Sequence, residues 1–286
     1  MVMTDYYDTL VSVETCLRHS AAADWCLIDC RVDLADKTWG VQAYREAHIP
    51  GAHYASLEGD LAGAPPAASG RHPLPDWQDF ADSLGRWGVY PDTQVVVYDQ
   101  GGGAFAARLW WLLRAVGHSR VAVLDGGWAA WQAAGGAESD AAAPLHGQRV
   151  ALAPGTGWVT TGQVEQNLHS REFVLVDARS SKRFVGEREP IDPVAGHIPG
   201  ALNFPFEQNL DASGVFLAPA ELRQRWCESL QEYAGSTVVH MCGSGVTACH
   251  NLLAMEVAGL YDSRLYVGSW SEWIRGAARP VATGWG

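Results

Sequence analysis

The chain has 286 residues, room for two domains of ordinary size, and its 48% apolar and 18% charged residues are those of an ordinary globular protein. Thirty-two acidic against twenty basic residues give a formal charge of −12, which argues against a protein built to grip nucleic acid or an anionic membrane surface. No apolar run approaches the ~20 residues that span a bilayer, the start lacks a basic-then-apolar export pattern, and six cysteines are too few for a disulfide scaffold, so the expectation is a cytoplasmic protein with reduced thiols.

In chain order, Cys26–Asp29 reads as a buried strand, and Trp77, Phe80, Ala81, Leu84 and Trp87 fall on one helical face. Gln94–Tyr98 is a β-branched strand. A glycine turn follows it, then a helix carrying Phe105, Leu109, Leu112, Leu113 and Val116 that Gly117 can stop. Val121–Leu124 is another strand. The stretch from about 137 to 157 is rich in Ala, Gly and Pro and reads as a linker, with 141–157 as its core. Beyond it, Phe173–Val176 is a strand, and Pro219 opens a helix bearing Leu222, Trp226, Leu230 and Tyr233. Thr237–Met241 is a strand, followed by a glycine loop and a helix from about Thr247 to Gly259. Thirteen tryptophans at helical spacing read as packing residues.

The two halves repeat each other. LIDCR at 27–31 returns as LVDAR at 175–179, AHIPGA at 47–52 as GHIPGA at 196–201, VVVYDQGGG at 95–103 as VVHMCGSG at 238–245, and DGGWAAW at 125–131 as VGSWSEW at 267–273. The offsets, about 148, 149, 143 and 142, keep the blocks in order, as a duplicated domain does and a short-period solenoid does not. Alternating β and α with continuous apolar strands predicts an α/β fold: two tandem domains, each a mostly parallel sheet with helices on both faces. The expected boundaries are 1–140 and 158–286.

The chemistry concentrates in Cys242-Gly243-Ser244-Gly245-Val246-Thr247-Ala248, where a strand ends, two glycines let the backbone curl, and a helix begins. Ligands bind at the C-terminal ends of strands in open parallel sheets. A curled loop turns backbone N–H groups toward one point, and the helix start adds positive potential. Such surroundings favour a thiolate, and a thiolate is a nucleophile. The repeat puts Asp99 at the position of Cys242, so the first half reads as a catalytically silent copy and the second as the catalytic one. The other five cysteines read as packing residues. A zinc site needs two closely spaced Cys or His motifs, and the sequence has no such pair of motifs, so zinc is not expected.

The LVDAR and GHIPGA blocks, the Cys242–Ala248 loop and the Gly268-Ser269-Trp270 block together resemble the two-domain rhodanese-like sulfurtransferases, across nearly the whole chain. The loop is most similar to that of the 3-mercaptopyruvate branch. Thiosulfate-preferring members carry a basic residue after the cysteine, and Gly243 stands there instead. The resemblance implies that the Cys242 thiolate takes sulfur from 3-mercaptopyruvate, or alternatively from thiosulfate. It then passes the sulfur from a persulfide to a thiol such as thioredoxin, or to cyanide, and the resemblance implies no metal or organic cofactor. Gly243, Gly245, Val246 and Thr247 would line the donor site. Ser244 matches the loop serine of a proton relay, and His72 in Gly70-Arg71-His72-Pro73-Leu74-Pro75 matches its histidine. The acidic member is Asp60, with Glu58 as the alternative. Arg183 matches the first donor-binding arginine, since a guanidinium grips a carboxylate with two hydrogen bonds. The family's second arginine falls nine residues later, where this chain has Asp192; Arg188 is the candidate replacement. Arg179 matches a family arginine but reads as structural, as does Arg31 in the first half, and His48 and His197 of the HIPGA blocks read as ordering their turns. A cysteine phosphatase would need an arginine six residues after the nucleophile, where Ala248 stands. A non-catalytic binding module would have no use for an intact Cys242 loop.

Overall fold

The computed structural model describes residues 6–147, 150–230 and 237–285. Two compact units emerge. The first comprises the chain up to Gly63, then Pro75–Gly155 and Ala212–Phe216; the second comprises Ala64–Leu74, Thr156–Asp211 and the chain from Leu217 onward.

The first unit runs β1 (Leu10–Val11), α1 (Val13–His19), β2 (Trp25–Asp29), α2 (Trp39–Glu46), β3 (His53–Tyr54), α3 (Trp77–Arg86), β4 (Gln94–Tyr98), α4 (Ala106–Ala115), β5 (Val121–Leu124) and α5 (Gly127–Ala133). Local chemistry sets the starts of α1 and α3. The Ser12 hydroxyl accepts from the Thr15 N–H, and the Asp76 carboxylate from the N–H groups of Gln78 and Asp79. Its five strands lie in the order β1-β5-β4-β2-β3, every neighbouring pair parallel. Val96 and Tyr98 of β4 pack with Leu27, Leu124, Trp128 and Trp131 on one face. Val95 and Val97, which alternate to the other face, are equally buried. Burial on both faces is why the strand is continuously apolar.

The second unit copies this plan with β6 (Trp158–Val159), α6 (Thr161–Ser170), β7 (Phe173–Asp177), α7 (Ser181–Phe184), β8 (Leu202–Asn203), a 3-10 turn at Phe206–Asn209, α8 (Pro219–Ser229), β9 (Thr237–Met241), α9 (Ala248–Val257), β10 (Arg264–Tyr266) and α10 (Ser269–Trp273). The strand order is β6-β10-β9-β7-β8, again parallel throughout. Val239 and Met241 of β9 pack with Leu175, Tyr266, Trp270 and Trp273.

Several expectations need correction. Residues 64–74 fall with the second unit rather than within 1–140, because the Gly70 N–H donates to Glu272 (3.2 Å) and the Arg71 N–H to the Ser271 hydroxyl (3.1 Å). Residues 212–216 fall with the first, where the Phe216 N–H meets the Asp125 carboxylate at 2.9 Å. The expected linker is tied down: the His146 N–H donates to the Arg86 carbonyl (2.9 Å) and the Gly155 N–H to that of Ala115 (2.7 Å). α8 ends at Ser229, and Tyr233 lies outside the described residues. Cys227, expected to pack, is exposed on α8, whereas Cys16, Cys26, Cys30 and Cys249 are buried as expected. The two-residue strands β1, β3, β6 and β8 have no counterpart in the sequence reading.

Candidate active site

Cys242 follows the last residue of β9, as Asp99 follows the last residue of β4. The comparison is direct. In the first unit the Asp99 carboxylate gathers four backbone amides: those of Gly101 and Gly103 on Oδ1 (3.0 Å each), and of Phe105 (2.8 Å) and Ala106 (3.2 Å) on Oδ2. The curled loop there is filled by its own anion. In the second unit, among the described residues, no intramolecular acceptor takes the amides of Gly243, Ser244, Val246 or Thr247. All but Thr247 are buried, and Cys242 itself is 2% exposed. Buried N–H groups are nearly always paired, so unmet donors in the loop directly after Cys242 are those of an anion-binding loop.

The start of α10 fixes this loop. The Trp270 N–H donates to the Cys242 carbonyl (3.0 Å) and the Ser271 N–H to that of Gly243 (2.9 Å). The Cys242 N–H donates to the Ser269 hydroxyl (3.1 Å), which itself donates to the Tyr266 carbonyl (2.9 Å). Ser269 does this at φ +51°, a left-handed conformation that costs a non-glycine residue energy and survives only where its surroundings hold it. Gly245 is also left-handed, at φ +75°, and a Cβ there would lie 2.5 Å from the Val267 carbonyl oxygen. The repeated tryptophan block therefore braces the nucleophile loop. The same latch recurs in the first unit, where the Trp128 N–H donates to the Asp99 carbonyl at 2.8 Å.

Ser244 and His72 come together. Ser244 Oγ and His72 Nδ1 are 2.8 Å apart, both residues under a tenth exposed. Arg183 reaches the loop from α7: a Cβ on Gly243 would lie 3.5 Å from its Nη2. Asp60 is held within the first unit, where its carboxylate accepts from the Ser56 N–H (2.9 Å), the Ser83 hydroxyl (2.8 Å) and Arg86 (3.1 Å). Glu58 lies 3.8 Å from Lys37 Nζ. Arg188 is exposed, with its N–H on the Lys182 carbonyl (3.1 Å). The guanidinium nearest Gly243 belongs instead to Arg71, whose Nη2 would lie 2.9 Å from a Cβ there.

Arg71 and Arg183 are joined by Asp192, through Oδ1 to Arg71 Nη1 and through Oδ2 to Arg183 Nη2 at 3.2 Å. Glu189 pairs with Arg183 (2.8 Å) and Arg179 (3.3 Å). Burial works to raise the Glu189 carboxyl, but hydrogen bonds from Arg183 and from the Asp192 and Ile191 amides outweigh it, leaving it below its usual value. Burial wins at Asp192 and raises its carboxyl despite the pull of Arg71. Arg179 grips Asp177 (2.6 Å) and covers the Trp270 ring at 4.6 Å, and Arg31 grips Asp29 (2.7 Å). Both act as braces. His48 and His197 bond the carbonyls of Tyr44 (2.6 Å) and Phe184 (2.9 Å).

Arg71, Glu189 and Ser269 had no role in the sequence reading. Arg71 sits beside His72 in the quoted segment, and that adjacency was the available signal. Among the described residues no cluster of three or more His, Cys, Asp or Glu is placed to hold a metal, and no helix is long and apolar enough to cross a membrane.

Residues 12–134 and 160–275 each match the Rhodanese-like domain family. A probable 3-mercaptopyruvate sulfurtransferase of Pseudomonas aeruginosa is 49% identical over 265 residues, spanning 91% of this chain and 93% of the relative. The human 3-mercaptopyruvate sulfurtransferase is 38% identical over 247 residues (83% and 80%), and the chicken thiosulfate sulfurtransferase 37% over 239 (82% and 81%). Among solved structures, a 3-mercaptopyruvate sulfurtransferase from Escherichia coli superposes with a TM-score of 0.81 at 29% identity, covering 93% of this chain and all of that one. One from Leishmania major gives 0.82 at 29%, covering 96% of this chain and 75% of that one.

Proposed function

The chain belongs to the rhodanese-like family, and from that membership we propose that it is a sulfurtransferase that carries sulfur from 3-mercaptopyruvate, through a persulfide on Cys242, to a thiol acceptor. The observation that carries the reading is the contrast between two equivalent loops. Asp99 consumes the amides of its own loop, whereas the Cys242 loop keeps four unmet amides, three of them on buried residues, for something else. A thiolate before transfer and a persulfide after it are both anionic, and one preorganised set of amides stabilises each. The first unit, with a carboxylate in the nucleophile's place, is the silent copy.

In the first half-reaction the Cys242 thiolate attacks the donor sulfur. The sulfur–carbon bond breaks and its electron pair passes to the methylene carbon, giving the enolate of pyruvate. The proton that completes pyruvate comes from the Ser244–His72 pair, the kind of transfer a positioned histidine performs near neutral pH. Arg183 and Arg71 meet the donor carboxylate beside Gly243. In the second half-reaction an acceptor thiolate, of a small thiol or a reduced thioredoxin, attacks the outer persulfide sulfur and regenerates the Cys242 thiolate. Asp60 as the acidic member of the relay rests on the family resemblance. Thiosulfate is the second donor to test, because two guanidiniums lie at the loop despite Gly243.

Intact-mass measurement after incubation with 3-mercaptopyruvate tests the proposal. The expected result is the gain of one sulfur, lost again on adding thiol and absent from Cys242→Ser. Failure of the native chain to gain sulfur from either donor would end the reading.

A further inference from the structure

The charge at the nucleophile loop differs from what Gly243 alone implies. No cation follows Cys242 in sequence, yet Arg71 and Arg183 fill the space that a Gly243 side chain would need. Both are then matched by carboxylates from one short loop. Asp192 bridges Arg71 and Arg183, and Glu189 holds Arg183 from the other side. Two positive and two negative groups sum to zero beside the reacting sulfur. The Asp192 side chain is only 3% exposed, so its oxygens face Arg71 and Arg183 rather than water.

We propose that Asp192 is a specificity-determining residue: by cancelling one guanidinium charge at the loop, it makes the site accept a monoanionic donor and reject a dianionic one. This rests on the sulfurtransferase reading above and adds the chemical ground of its donor choice. A 2-oxo-3-thiol acid brings one carboxylate and a neutral carbonyl. It needs one guanidinium and a few amides. Thiosulfate brings two charges into a site whose net charge is already zero, and its lost hydration is not recovered. Asp192 reacts with nothing; it acts through Arg71 and Arg183.

The experiment is the ratio of kcat/KM for thiosulfate to kcat/KM for 3-mercaptopyruvate, measured on the full chain and on Asp192→Asn, Asp192→Glu and Arg71→Gln. Asp192→Asn is expected to raise the ratio about tenfold or more, because one added positive charge favours the dianion over the monoanion. Asp192→Glu keeps the charge and should stay near the native ratio. Arg71→Gln leaves a net negative cluster and should lower the ratio by a similar factor, which keeps the test open if Asp192→Asn does not fold. Ratios within twofold of native in every folded variant would overturn the proposal. So would equal shifts in Asp192→Asn and Asp192→Glu, which would mean that shape rather than charge is read. Calorimetric binding of thiosulfate to Cys242→Ala, with and without Asp192→Asn, needs no turnover: tighter binding with Asp192→Asn is expected, and unchanged binding counts against the proposal. Failure of the native chain to take up sulfur defeats the functional reading alone, and this binding comparison then decides the role of Asp192.

Discussion

His72 and Ser244 share a hydrogen bond between positions 172 residues apart, and the two proposed donors ask different things of it. Pyruvate leaves as an enolate and needs a proton on carbon; sulfite leaves from thiosulfate as a stable anion and needs none. His72→Gln is therefore expected to lower kcat for 3-mercaptopyruvate by roughly 100-fold, the range of general acid catalysis, while thiosulfate turnover stays within a few-fold. Steady-state kinetics with both donors on one preparation checks this, and equal losses would reduce His72 to a packing role. Asp99 is the opposite case, a charged residue whose worth is structural. Replacing it by Ala strands four amides, those of Gly103 and Ala106 buried, and should destabilise the first unit by roughly 2–4 kcal/mol in urea unfolding. Sulfur uptake at Cys242 should persist, and an unchanged unfolding midpoint would contradict the account. The two ends of the ion-pair array illustrate what a sequence hides. The Asp192–Arg71 bridge joins residues 121 apart with no periodic trace, whereas the loop cysteine announces itself by its neighbours.

At the level of strands and helices, legibility followed burial. β4 and β9 are central, covered on both faces and rich in valine, so their limits were read to the residue. The edge strands β1, β3, β6 and β8 pair over two residues each and leave too short a pattern to see. α10 was visible only as a repeated tryptophan block, and its role as the brace of the Cys242 loop needed coordinates. β9 also carries a cost in its middle. His240 is fully buried, its Nδ1 lacks a hydrogen-bond partner among the described residues, and burial lowers its pKa to about 3. Between 6.5 and about 3 the unfolded chain holds a proton on this ring that the folded chain does not, so stability falls as the pH drops through that window. Each pH unit below 6.5 costs about 1.4 kcal/mol from this ring. His240→Leu should flatten the pH dependence of second-unit unfolding between pH 6.5 and 5, read by urea titration at each pH; a slope equal to the native one would refute it.

The whole molecule is one fold used twice, with the same strand order in both units. The duplication was legible because four sequence blocks recur in order, and the blocks coincide with parts that both units share: the strand-end Asp–Arg brace, the histidine turn, the loop after the central strand and its tryptophan latch. That residues 64–74 cluster with the second unit was not legible, since a Pro-rich loop gives no sign of which unit it packs against. Residues encoded in the first copy, Arg71 and His72, now belong to the second body. A gene severed between the copies would express the Cys242 loop without the histidine that bonds Ser244 and without the guanidinium beside Gly243. Expressed from residue 156 onward, the second unit would lack residues 64–74, which cluster with it.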